Sequence, residues 1–182
     1  MKKLVYLSLA AFLMASGSSM TFAAGGDSGG GAPEPVKKCK KGEVPKKVGI
    51  IWKCVKVETG ILPDEELYQQ GRALAKAGEY EWALQVLAAI QNQNDPRVLN
   101  YTGYSNRKAG RLEIGITYYR KALAIDPNFV LAREYLGEGY VAAGRIDLAK
   151  LELNEIKTRA GTGSEEYQDL SKAIATGVVA AD

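Results

Sequence analysis

Cysteine, serine and paired acidic side chains are the groups in this chain that could carry chemistry. There are two cysteines, Cys39 and Cys54, and no histidine. Without histidine the chain lacks the commonest general base and the commonest zinc ligand. Ser105 and Ser164 have no candidate base to activate them. The acid pairs Glu65-Glu66 and Glu165-Glu166 fall at the starts of helical segments, where they favour the helix dipole. The sequence shows no phosphate-cradling glycine loop, no nucleophile elbow and no metal-ligand spacing. These absences disfavour an enzyme, and neither a cofactor nor a metal is expected. For the cysteines, an exported chain implies a Cys39–Cys54 disulfide. A redox-active pair is the alternative, but such pairs usually stand two residues apart. Here fourteen residues intervene, and closing such a loop is worth about 3 kcal/mol.

Export itself is read from residues 1–23. Lys2 and Lys3 precede the apolar run Leu4 to Ala15, and Thr21-Phe22-Ala23 offers a small-x-small cleavage site. This is the pattern of a secretory signal peptide, too short to span a bilayer, so no transmembrane segment is expected after cleavage. Export to the periplasm, or secretion beyond it, follows as the expectation. Residues 24–36 are rich in Gly and Pro and predict a flexible linker. Residues 37–58 predict a small Cys39–Cys54 stapled hairpin, with Ile50 to Val57 as a strand. Its lysines (Lys37, Lys38, Lys40, Lys41, Lys46, Lys47, Lys53 and Lys56) surround Trp52. The net charge of +3 is unevenly spread: eight lysines oppose four acids over 24–59, whereas fourteen basic residues face seventeen acids from Gly60 onward. The acidic balance of that second part argues against a nucleic-acid groove.

The elements that must position any site lie in residues 59–182. Gly71 and Gly78, Gly103 and Gly110, and Gly137 and Gly144 form three pairs seven residues apart, each followed by a small residue at Ala83, Gly115 or Ala149. The second glycines recur after 32 and 34 residues, the period of helix–turn–helix repeats. Repeats are expected at about 64–95, 96–127 and 130–160, with a capping helix at about 164–176. Asp64 is expected to cap the first helix, with Leu67, Gly71 and Leu74 on its buried stripe. Trp82, Val86, Leu87 and Ile90 should face inward from the second. Asp95-Pro96 opens the third helix. Tyr167, Leu170 and Ile174 share one face of the final helix.

These spacings resemble the tetratricopeptide repeat (TPR) over about Asp64 to Ile156. The resemblance implies an all-α fold: a right-handed α-solenoid of three hairpins plus a C-terminal capping helix, preceded by the stapled hairpin. It places Gly71 against Ala83, Gly103 against Gly115 and Gly137 against Ala149, where paired helices approach. Leu67, Leu99 and Arg133 stand where a bulky aromatic is usual. Gly115 replaces the usual Ala at about 0.5–1 kcal/mol, which makes the middle repeat the softest. Val98 to Lys108, Glu134 to Glu138 and Glu165 to Leu170 are similar to short exported proteobacterial TPR proteins of undefined role. That group tends to carry a cysteine pair where this chain has Ala160 and Ser164, so a less firmly docked cap is expected.

The resemblance also implies that the first helix of each repeat lines a concave, protein-binding face. In this register its exposed positions are Tyr68, Arg72 and Lys76, then Asn100, Tyr104, Arg107 and Lys108, then Glu134 and Glu138. Tyr and Arg are frequent hot-spot types, and a basic-aromatic half followed by an acidic half would orient a peptide by charge. The bland alternative is a solvated face of i, i+4 pairs. The carboxylate clamp of chaperone-binding TPR domains is absent, since its positions hold Tyr68, Arg72, Tyr101, Leu131 and Tyr135. The expectation is a non-catalytic module binding a protein or peptide segment. The alternative is a tether whose Lys/Trp hairpin binds an anionic envelope polymer (polysaccharide, anionic lipid or, least expected, nucleic acid), with the stack as spacer; solubility of the hairpin explains its lysines equally well. Self-association through an open end of a three-repeat stack stays open.

Overall fold

The computed structural model describes residues 39–48 and 51–179. The expected signal peptide and linker, with Lys37 and Lys38, lie outside the described residues, as do the side chains of Lys47 and Trp52. Strands β1 (Glu43–Val48) and β2 (Ile51–Lys56) precede seven helices: α1 (Asp64–Lys76), α2 (Tyr80–Ala88), α3 (Pro96–Lys108), α4 (Leu112–Ile125), α5 (Val130–Ala142), α6 (Ile146–Ala160) and α7 (Glu165–Thr176). Helices α1/α2, α3/α4 and α5/α6 form three hairpins; α2 packs on α3, α4 on α5, and α7 on both α5 and α6.

The glycine skeleton accounts for this architecture. Each hairpin turns at the second glycine of its pair, Gly78, Gly110 or Gly144, with φ of 81°, 84° and 70°. Residues with a Cβ avoid that conformation. The first glycines permit close approach instead. A Cβ on Gly71 would stand 2.7 Å from Leu87. In the middle hairpin, a Cβ on Gly115 would lie 2.9 Å from both the Gly103 carbonyl oxygen and the Arg107 Cβ. Gly115 thus costs helix propensity but lets α3 and α4 meet backbone to backbone. At Gly137 the missing Cβ also makes room for Leu170 of α7, whose side chain fills that space.

The caps hold one surprise. Asp95 caps α3 as expected, accepting from the Arg97 amide at 2.8 Å, with Pro96 in the first turn. Ser164 does the same for α7, accepting from the Tyr167 amide. Asp64, however, does not cap α1. It is the first helical residue, after Pro63. Its carboxylate accepts from the Gln91 and Asn92 amides, at 2.9 and 3.0 Å, satisfying backbone donors in the loop that leaves α2. Arg133, at a position usually aromatic in such repeats, instead pairs with Glu152 across α5 and α6 at 2.8 Å and donates to the Pro127 carbonyl.

The core runs through all three hairpins. Leu67, Ala83, Val86 and Leu87 serve the first, Val98, Tyr104 and Tyr119 the second, and Leu136, Ala149 and Ile156 the third. Val44 of β1 joins this cluster at 1 % exposure. The β-hairpin is therefore docked on the first repeat. Trp82, half-buried, turns toward it and donates from Nε1 to the Glu43 carbonyl at 3.0 Å. Gln70 donates to the Pro45 carbonyl at 3.0 Å. The Cys39–Cys54 disulfide closes the base, with Cα atoms 5.5 Å apart.

Candidate functional site

Stacked repeats bring α1, α3 and α5 side by side, and their facing side chains meet in a tyrosine cluster. Tyr68 and Tyr101 lie with ring centroids 6.0 Å apart in an edge arrangement. Tyr101 and Tyr104 are 6.0 Å apart, and Tyr104 and Tyr135 5.3 Å. Tyr119, reaching over from α4, is 6.0 Å from Tyr135. Offset and edge contacts of this kind add about 0.5–1.5 kcal/mol per pair beyond area burial.

Basic side chains bridge successive repeats over these rings. Arg72 Nε donates to the Tyr101 hydroxyl at 3.0 Å, and its guanidinium lies 5.9 Å from that ring's centroid. Lys76 Nζ donates to the Tyr135 hydroxyl, also at 3.0 Å, and so spans from the first repeat to the third. Lys108 stands 5.5 Å from the Tyr104 ring centroid. Arg97 lies 4.5 Å over Tyr68 while paired with Glu65 and Asp95. Burial and the neighbouring Tyr101 push the Tyr68 hydroxyl up to about 12, against the pull of Arg72 and Arg97. Its hydroxyl is neutral at neutral pH, as that of an unperturbed tyrosine is.

Of the nine residues read as exposed groove positions, Arg72 and Lys76 are exposed and Lys108 is half-buried. The other six are buried: Tyr68, Asn100, Tyr104, Arg107, Glu134 and Glu138. The physical reason for Tyr68 and Tyr104 is ring packing across repeats. For Arg107 and Glu138 it is ion pairing, Nη2 to Oε2 at 2.7 Å with side chains 6 % and 1 % exposed; Arg107 Nε also donates to the Tyr119 hydroxyl. The expected acidic half is thus turned inward, with Glu134 at 5 % exposure. Asn100 is fully buried, and neither of its amide polar atoms has a hydrogen-bond partner.

Sequence reasoning missed the tyrosine cluster as a unit. The signal was present, because Tyr101 and Tyr135 stand 34 residues apart, each two residues before the first glycine of its pair. Elsewhere, Leu99, Tyr118 and Ile125 line a shallow depression of about 480 Å³. Among the described residues, no group of acids and cysteines could hold a metal ion, and no helix is long and apolar enough to cross a membrane.

The chain matches no family model and no curated protein sequence. Its likeness is to solved structures. The type III secretion chaperone SycD of Yersinia enterocolitica, in complex with a peptide of the translocator YopD, aligns with a TM-score of 0.54 at 20 % identity, over 65 % of this chain and 93 % of that one. The TPR2B domain of yeast Sti1, in a complex with pHsp70, gives 0.57 at 17 % identity, over 63 % and 94 %. The Sgt2 TPR domain of Aspergillus fumigatus gives 0.56 at 18 %, over 64 % and 82 %. At these identities the likeness concerns the backbone alone. Three glycine-hinged hairpins stacked in register, closed by a seventh helix, have the tetratricopeptide-repeat fold.

Proposed function

We propose that the protein is a non-catalytic, exported interaction module that binds a protein segment along the face formed by α1, α3 and α5. The observation that carries this reading is the placement of Arg72 and Lys76. Both are exposed on α1, and each is held by a tyrosine hydroxyl from a later repeat. Cations fixed over aromatic rings lose little side-chain freedom on binding, which favours them as anchors. Acidic or carbonyl-rich stretches of a partner complement them. Solved domains of the same fold, such as SycD with its YopD peptide, support a peptide as the ligand class. The leader pattern in residues 1–23 supports the periplasm as the compartment.

In-cell crosslinking of the chain, compared with its Arg72→Glu/Lys76→Glu variant, tests the proposal. The variant should lose the crosslinked partner while keeping its helical circular dichroism. Undiminished crosslinking would remove the face from consideration. A second reading, envelope tethering through the Lys-rich hairpin with the stack as spacer, draws on the exposure of Lys40, Lys41, Lys53 and Lys56 around a docked base.

A further inference from the structure

The two ends of the β-hairpin have opposite environments. Directly paired residues of an antiparallel ladder share a face, and alternate pairs return to it. The pairs Val44↔Val55, Lys46↔Lys53 and Val48↔Ile51 therefore lie on one face. At the base, Val44 is 1 % exposed and Val55 packs against the core. At the far end, about 14 Å along the strand, Val48 is 45 % and Ile51 60 % exposed. Between them sit Lys46 and Lys53. From Cys39 to Val57 the sequence carries six lysines against one acid, Glu43, and the Glu43 carboxylate accepts from the Lys40 amide.

We propose that this tip, Val48 and Ile51 collared by Lys46 and Lys53, seats the protein on an anionic lipid bilayer. Single exposed aliphatics are ordinary. Two of them directly opposed, at the end of an anchored hairpin and backed by lysines, match the depth profile of a bilayer surface. The apolar pair enters the acyl boundary, while lysine stems lie along the interface and their ammonium groups reach the phosphates. A soluble polyanion satisfies the lysines but gains nothing from Val48 and Ile51. The inference concerns the hairpin and is independent of binding at the tyrosine face.

Co-sedimentation of the full chain with vesicles of equal parts phosphatidylglycerol and phosphatidylcholine tests it. Binding should weaken with salt and be lower on pure phosphatidylcholine. Ile51→Asp should lower partition about tenfold or more, and Lys46→Ala or Lys53→Ala about fivefold each. Ile51→Ser should fall between Ile51→Asp and the native chain. Arg72→Glu/Lys76→Glu should leave vesicle binding intact, so that failure of the tyrosine-face reading is scored separately. Native-like partition of Ile51→Asp overturns the proposal. So does retention on soluble dextran sulfate that depends on the lysines, with vesicle binding indifferent to Ile51; that result assigns the hairpin to a polymer.

Discussion

The two ends of the stack are closed by different devices. At the C-terminal end, α7 lies on α5 and α6 and drives Leu170, fully buried, into the space left by Gly137. At the N-terminal end a two-stranded hairpin presses Val44 against the first repeat and is fixed by bonds from Trp82 and Gln70 to its backbone carbonyls. The helix cap is held through apolar side chains. The strand cap is stapled within itself by the disulfide and docked through Val44, Val55 and a few hydrogen bonds, and it leaves its far end in solvent. A cap needed only to exclude water from a core has no use for a projecting basic tip. The contrast separates a purely structural closure from one with surface left for another task.

The sharpest way to break this comparison is Leu170→Ala. The side chain is fully buried, so the loss should cost about 2–5 kcal/mol, read as a lower urea midpoint for the whole helical transition. If α7 detaches without lowering that midpoint, it is an appendage and the two ends are alike. Replacing Cys39 and Cys54 together with Ser should cost about 3 kcal/mol, confined to the hairpin. Amide exchange over β1 and β2 should accelerate while the helical melt stays in place. Between the ends, Gly115→Ala supplies a reference. Crowding against Gly103 and Arg107 should outweigh the gain in propensity, for a net loss of about 1–3 kcal/mol. A stabilised variant would show that the middle hairpin has slack. The smallest effect is expected for Trp82→Phe, about 1 kcal/mol from the lost bond to Glu43, visible as faster exchange near β1 alone.

Much of the fold was legible because period and punctuation agree. The Gly pairs marked the turns, Asp95-Pro96 and Ser164 the starts of α3 and α7, and a sole pair of cysteines behind a leader pattern the staple. The site was harder to read. Register puts Asn100, Tyr104, Arg107, Glu134 and Glu138 on the inner helices, but it does not say whether they face water or one another. That depends on neighbours one or two repeats away: Glu138 for Arg107 and Tyr135 for Tyr104 at about thirty residues, and Tyr135 for Lys76 at 59. Asp64 shows the same limit on a smaller scale, since its residue type suits a cap while its carboxylate serves another loop. The docking of the hairpin was hidden because Trp82 reads as a core residue of α2 until Glu43 stands beside it.

One surface pattern bears on how such an array could be lengthened. Arg111 pairs with Glu81 at 2.6 Å and Arg145 with Glu113 at 2.7 Å. Each arginine stands eight residues after the first glycine of its own repeat, and each glutamate ten residues after that of the preceding one. Asp147 occupies the next glutamate position with its side chain 99 % exposed, its recorded ion pair being the weak one to Lys150 at 3.8 Å. An additional hairpin grafted between α6 and α7, with arginine at the matching place, would find its ionic rung already half built.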